Sequence, residues 1–311
     1  MQFYFSFLFN SKFETMFMGV VWKAIIGLFI VLPLFGFGQQ INGDNFKKDE
    51  NAISGLMEEV GRQTELPDMA RLNSKVLGMM KDILSKSGSF EYPFDSLVHI
   101  GKVISDDKLV RIFTWNIPQA GGTQQVFGLL QVKNRKSGEV TLFELTDLRA
   151  KMQDPANQIV GSQSWYGALY YQIAEKRKAG ITYYLLLGVD LNNIFTSKRV
   201  IDVLHFDDSN QPQFGAPIFN NGKRIFARII FEYSARASMM MRYIPELDMI
   251  VFDHLSPSRP EYAGDLRFYG PDFSYDGFKF IKGVWVLQSD LDLRNSFHPK
   301  LKILPQPPKV N

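Results

Sequence analysis

From about residue 96 onward, apolar side chains recur at every second position. A two-residue period places alternate side chains on opposite faces of a strand. It predicts strands at 108–115, 124–133, 139–146, 166–176, 181–189, 198–206, 223–233, 237–244, 248–254 and 283–294. The joints between them, "RKSGE", "KRKAG", "DDSNQP" and "NNGK", carry turn chemistry. Asn221-Gly222 is the strongest, because both residues tolerate the positive φ of a two-residue hairpin. Short strands with tight turns form antiparallel sheets, since parallel neighbours need long crossovers. The expected fold is mainly β: an antiparallel meander over 96–295 that curls into a barrel or sandwich. "ITYYLLLGV" (181–189) is apolar on both faces and should be central. In 223–233, Ile225, Ala227, Ile229, Phe231 and Tyr233 share one face, with Arg224, Arg228 and Glu232 on the other.

Before residue 96 the period is helical. Met69, Leu72, Val76, Met79, Met80 and Ile83 recur at three and four residues within 66–88, with Pro67 and Asp68 at the start and Gly88 at the end. Residues 41–63 are polar and read as a looser helix. A polar, helical N-terminal segment over 39–95 therefore precedes the β domain. The tail, 296–311, is rich in proline and reads as extended. Residues 147–160 read as a short helix or loop.

The N-terminus has a different character. From Met16 the chain shows one positive residue, Lys23, an apolar core from Ala24 to Phe35, then Gly36, Phe37 and Gly38 before Gln39-Gln40. This is the layout of a secretory signal, expected over 1–38 with cleavage after Gly38. The stretch before it reads as translation from an upstream start, the true start being Met16 or Met18. The rival reading is an uncleaved anchor from Gly19 to Gly38, the chain's one route to a membrane. Export is expected, with the periplasm favoured because no sorting module follows the tail.

The formal net charge is +3 with no basic block, which gives no support to nucleic-acid binding. The chain has no cysteine. That excludes a lipobox, disulfides, thiolate metal sites and cysteine nucleophiles. Aromatic residues make up 14%, and this favours strands.

With the strands laid out, the runs "RIFTWNIPQAGGTQQVFG" (111–128), "WYGALYYQI" (165–173), "YYLLLGVDLNNIFTSKRVIDVL" (183–204), "FGAPIF" (214–219), "IIFEYSARASMMMRY" (229–243), "IVFDHLSP" (250–257) and "YGPDFSYDGFKF" (269–280) stand out. Together they resemble an uncharacterised secreted protein family of the Bacteroidota, over roughly residues 100–295. The resemblance implies an envelope location and brings no catalytic residue with it.

Candidate chemistry is sparse. On a strand through 283–294, Val286, Gln288, Asp290, Asp292 and Arg294 share a face. Asp290 and Asp292 are then the candidate catalytic pair of a hydrolase, if that face lines a cavity. A solvent-facing ladder is the plainer reading. Asp272, Tyr275 and Asp276 are candidate ligand residues, although Gly270-Pro271-Asp272 and Tyr275-Asp276-Gly277 read as consecutive turns and lack the EF-hand layout. Trp115, Trp165 and Tyr166 complete the candidate ligand set, as an aromatic platform. "GSQSWYG" (161–167) fails the nucleophile-elbow pattern, because Ser162 and Tyr166 stand where glycines belong. "QAGGTQQ" (119–125) reads as a hairpin loop. His254 follows Asp253, but strand neighbours point apart, so a structural role is expected. No motif calls for a metal or a cofactor. The expected function is binding of a small ligand or an envelope partner without catalysis, with the carboxylate hydrolase as the alternative.

Overall fold

The computed structural model describes residues 36–292, with side chains from residue 43. The cleavage site and most of the signal segment, and all of the tail over 296–311, concern residues or side chains outside that range. The described chain is mainly β, with two helices ahead of three sheets that stack like a sandwich and do not close into a barrel.

Helix α1 (Gly36–Arg62) and helix α2 (Leu66–Leu84) both form. Phe46, Glu50, Ile53, Met57 and Val60 make one buried stripe on α1, at alternating spacings of four and three. Its single charge, Glu50, accepts from the Tyr92 hydroxyl at 2.8 Å and the Ser96 amide at 2.5 Å. Burial, followed by that bond to Glu50, pushes the Tyr92 phenol up to about 12.

The first sheet is β1 (Gly101–Ile104), β2 (Val110–Pro118), β3 (Gln124–Lys133) and β4 (Val140–Thr146), antiparallel and in chain order. Odd-numbered residues of β2 face the helices. Phe113 and Trp115 join Val76, Met80 and Ile83 in one core. Arg111 lies on the same face, donating to the carbonyls of Tyr92 (2.8 Å) and Ser89 (2.5 Å) among the rings of Phe90, Phe94 and Phe113.

The second sheet comprises β5 (Val160–Gly161), β6 (Leu169–Lys178), β7 (Ile181–Asp190), β8 (Thr196–Phe206) and β9 (Pro212–Phe214), in the order β5-β9-β8-β7-β6. One further strand, β12 (Ile229–Ser234), pairs with the first half of β8. β7 is an interior strand, next to the edge strand β6, and is covered on both faces. Tyr184 and Leu186 pack toward the first sheet, and Leu185 and Leu187 toward the third.

The third sheet holds β10 (Phe219–Asn220), β11 (Ile225–Phe226), β13 (Met241–Ile244), β14 (Met249–Pro257), β15 (Tyr269–Ile281) and β16 (Val284–Gln288). Its order is β11-β10-β16-β15-β14-β13, and β10 runs parallel to β16. Among the described strands, this pair departs from the expected antiparallel pairing.

Four expectations change. The strand at 223–233 is two strands, β11 and β12, broken at Ala227-Arg228, where both amides turn to the Ala156 carbonyl. The Asn221-Gly222 hairpin exists, but four residues connect Asn220 to Ile225 and only Gly222 has positive φ. The expected turns at 270–277 lie instead within β15, where a bulge sets residues 272–274 opposite the single β14 residue His254 and pairing continues on both sides, Asp253 with Tyr275 and Leu255 with Pro271. The last strand ends at Gln288, so the Asp290–Asp292 ladder does not form. Asp290 sits just beyond it at φ 57°.

Candidate functional site

A cleft of about 930 Å³ lies where all three sheets meet. Its walls come from the 119–125 hairpin loop, the 147–156 segment, the end of β7, β8, β12 and the start of β15. The floor is built around Arg149. Beyond the end of β4, the edge of β3 has no strand beside it. There the Gln124 carbonyl accepts from Arg149 Nη2, and the Val126 amide donates to Asp147 Oδ2 at 3.1 Å. Side chains thus satisfy main-chain groups that a strand would otherwise pair.

Arg149 Nη1 donates to the Gly167 carbonyl at 2.6 Å and lies 3.5 Å from Asp147, while Nε lies 3.6 Å from Asp190. Gly167 is required here. A Cβ at that position would stand 2.4–2.7 Å from the Asp147 carboxyl group. Asp190 also accepts from the Tyr166 hydroxyl at 3.1 Å and the Asn192 amide at 2.8 Å. Burial, then the Asp190 charge, raises the Tyr166 phenol far above its ordinary range, so it stays a neutral donor.

On the β12 side, Glu232 Oε1 accepts from Thr196 Oγ1 (2.6 Å) and Asn192 Nδ2 (3.3 Å), and Oε2 lies 3.6 Å from Lys198. Every ionised group lining the cleft therefore has an opposite charge within 4 Å. The carboxylates act as acceptors only.

Behind this wall sits a buried ion pair. Arg228 Nε is 3.0 Å from Asp202 Oδ1, and both side chains are fully buried. Asp202 also accepts from the Tyr170 hydroxyl (3.1 Å), which in turn accepts from Trp165 Nε1 (3.0 Å). Arg228 Nη1 donates to the Pro155 carbonyl at 2.5 Å, and the guanidinium stacks 5.3 Å from the Tyr166 ring centre. Burial opposes the guanidinium charge, but Asp202 outweighs it and the Arg228 pKa rises.

The sequence candidates scatter. Tyr166 lines the cleft. Trp165 is wholly buried behind it, and Trp115 is buried under the helices, where its Nε1 donates to Asn73 at 2.7 Å. The expected aromatic platform therefore does not assemble. Tyr275 packs with Met249 and Val251, and its carbonyl accepts from the Leu291 amide. Asp272 is exposed and accepts from the Ser274 hydroxyl at 2.7 Å. Asp290 and Asp292 are exposed beyond β16.

The aspartates nevertheless partly converge, around a histidine. His254 lies on β14 opposite the β15 bulge, and its Nδ1 lies 2.7 Å from Asp276 on β15, whose other oxygen accepts from the Asp290 amide at 3.1 Å. The partner of His254 is thus 22 residues away rather than the adjacent Asp253. The Asp276 hydrogen bond, with the charges of Asp276, Asp272 and Asp290, raises the His254 pKa against a smaller opposing effect of burial. A raised folded pKa means the pair's stabilisation is complete below about pH 6.5, the unfolded value, and disappears as pH climbs through the folded one. Asp276→Asn should lower the His254 pKa, read from its ring-proton shifts in an NMR titration. An unchanged midpoint would show that the pair is not formed. Among the described residues, no three His, Asp or Glu gather as a metal site.

The cleft residues Gln119, Gln125, Asp147, Arg149, Asp190, Asn192, Lys198 and Glu232 were not candidates from the sequence. They come from separate elements with no shared spacing. Only the turn-forming "QAGGTQQ" marked one rim of the cleft, and it did so as a loop. No family model, no curated protein and no solved structure matches the chain.

Proposed function

We propose that this is an exported envelope protein that binds a ligand or partner in the three-sheet cleft without transforming it. One observation carries the binding reading: the charged groups of the cleft are paired with one another and hydrogen-bonded in place. Such a lining is a preformed polar surface, suited to recognition. Acid–base chemistry needs a group poised to exchange a proton with substrate, and the cleft carboxylates already hold donors. The hydrolase alternative draws no support from Asp290 and Asp292, which are exposed beyond β16 and do not line the cleft. Export rests on the signal-like N-terminus and on the resemblance.

The test is a thermal-shift screen of sugars, peptides and lipids, repeated with Ala150→Trp, which places an indole on the exposed cleft wall. A ligand at a hundred times its Kd adds about 2.7 kcal/mol to stability. That gain should appear in the wild type and vanish in the variant. Hydrolysis of chromogenic esters, glycosides or phosphates that Ala150→Trp abolishes would overturn the reading.

A further inference from the structure

Strand β12 meets the cleft edge-on. Ile230, Phe231 and Glu232 are consecutive, and all three line it. Consecutive strand residues point to opposite faces, so a cavity touching all three borders the backbone edge. The parity of the hydrogen bonds shows which groups front it. On one side β12 pairs with β8, with Ile229 opposite Ile201, Phe231 opposite Arg199 and Tyr233 opposite Ser197. The register continues where the Ala235 amide donates to the Phe195 carbonyl, directly opposite, at 2.9 Å. Odd-numbered residues therefore aim their main-chain groups at β8.

Even-numbered residues aim theirs the other way. At one end the Arg228 amide donates to the Ala156 carbonyl, and at the other the Ser234 carbonyl accepts from Ala237, both at 2.9 Å. Between these tied ends, the N–H and C=O of Ile230 and Glu232 point outward with no protein partner among the described residues. The edge is thus satisfied at both ends and open only where the cleft lies against it. Recession in the cleft shields it from the edge-to-edge pairing that an open strand invites.

We propose that this edge receives an extended polypeptide segment as an added strand. The inference rests on the binding reading above and names the class of ligand. Donor and acceptor repeating every second residue, about 6.8 Å apart, is the complement of an extended peptide backbone. Leu255, Leu266 and Tyr269 supply apolar wall for its side chains. The charges of the wall are already paired, so the bound segment is uncharged there. A charged residue would have to break an existing pair.

The experiment selects binders from a displayed library of random decapeptides on the purified protein and measures their affinity by fluorescence anisotropy. Ile230→Pro removes the outward N–H and leaves the bonds to β8 in place, as an edge strand tolerates. Ile230→Ala controls for the side chain. Ile230→Pro should bind selected peptides roughly five- to tenfold more weakly than Ile230→Ala, the loss of one main-chain hydrogen bond. N-methylation along the peptide should weaken binding at alternate residues only, a readout independent of how the variant folds. Equal binding by both variants, or methyl sensitivity without alternation, overturns the proposal. If no peptide binds but a sugar or lipid does, and Ala150→Trp excludes it, the peptide inference fails and the binding cleft stands. If Ala150→Trp excludes nothing, both fail.

Discussion

Asp202→Ala should destabilise the protein by about 3–5 kcal/mol, measured as a lower urea midpoint at constant slope. The two halves of the Asp202–Arg228 pair are fully buried. Deleting the carboxylate leaves a guanidinium in the interior without its counter-charge. Arg228 has little in reserve. Nη2 has no acceptor among the described residues, and Nε meets Asp202 as an ion pair outside good hydrogen-bond geometry. The Tyr170 hydroxyl and the Val203 amide lose their acceptor as well. Desolvation of the carboxylate is relieved, but the stranded charge is the larger effect. Replacing both ions, as Asp202→Leu with Arg228→Met, should therefore restore stability to near that of the wild type or above it. A double variant as unstable as Asp202→Ala would show that shape, and not charge, holds this site.

Trp115→Ala should cost about 3–5 kcal/mol by creating a cavity at the centre of the helix–sheet core. The indole stacks on Phe127 with centroids 5.7 Å apart, and its N–H satisfies the buried Asn73. Trp115→Phe separates the two contributions. It keeps most of the ring and strands the amide, for about 1–3 kcal/mol. Since Trp115 faces the helices, ligands of the cleft should bind both variants unchanged wherever the variants are folded. Altered affinity in the folded variants would contradict the placement of the indole away from the site.

Elements whose signal is local were legible in the sequence. The α2 stripe and the doubly apolar Tyr183–Leu187 run each report burial through their own spacing, and β7 is buried on both faces. Residues 269–281 misled because Gly270-Pro271 and Asp276-Gly277 carry turn chemistry. Pairing with β14 across a bulge overrides it. Arg228 and Glu232 share a face that looks like a solvent face in the sequence. There Asp202, the Pro155 carbonyl and the Tyr166 ring enclose the guanidinium, and Arg228 is fully buried. The His254–Asp276 pair had no local signature, and the cleft showed only its 119–125 rim and Tyr166, because tertiary packing brings the other residues together.

The place of β16 sets the order of assembly. In the third sheet this short strand lies between β10 and β15, its Trp285 opposite Phe219 on one side and Phe280 on the other. Synthesis delivers it last. Until residue 288 is available, the β10–β11 hairpin has no neighbour in its sheet, and β15 keeps a bare edge over an apolar face. A premature stop before Val284 would therefore split the sheet in two, and the product should aggregate rather than circulate as a shortened native protein.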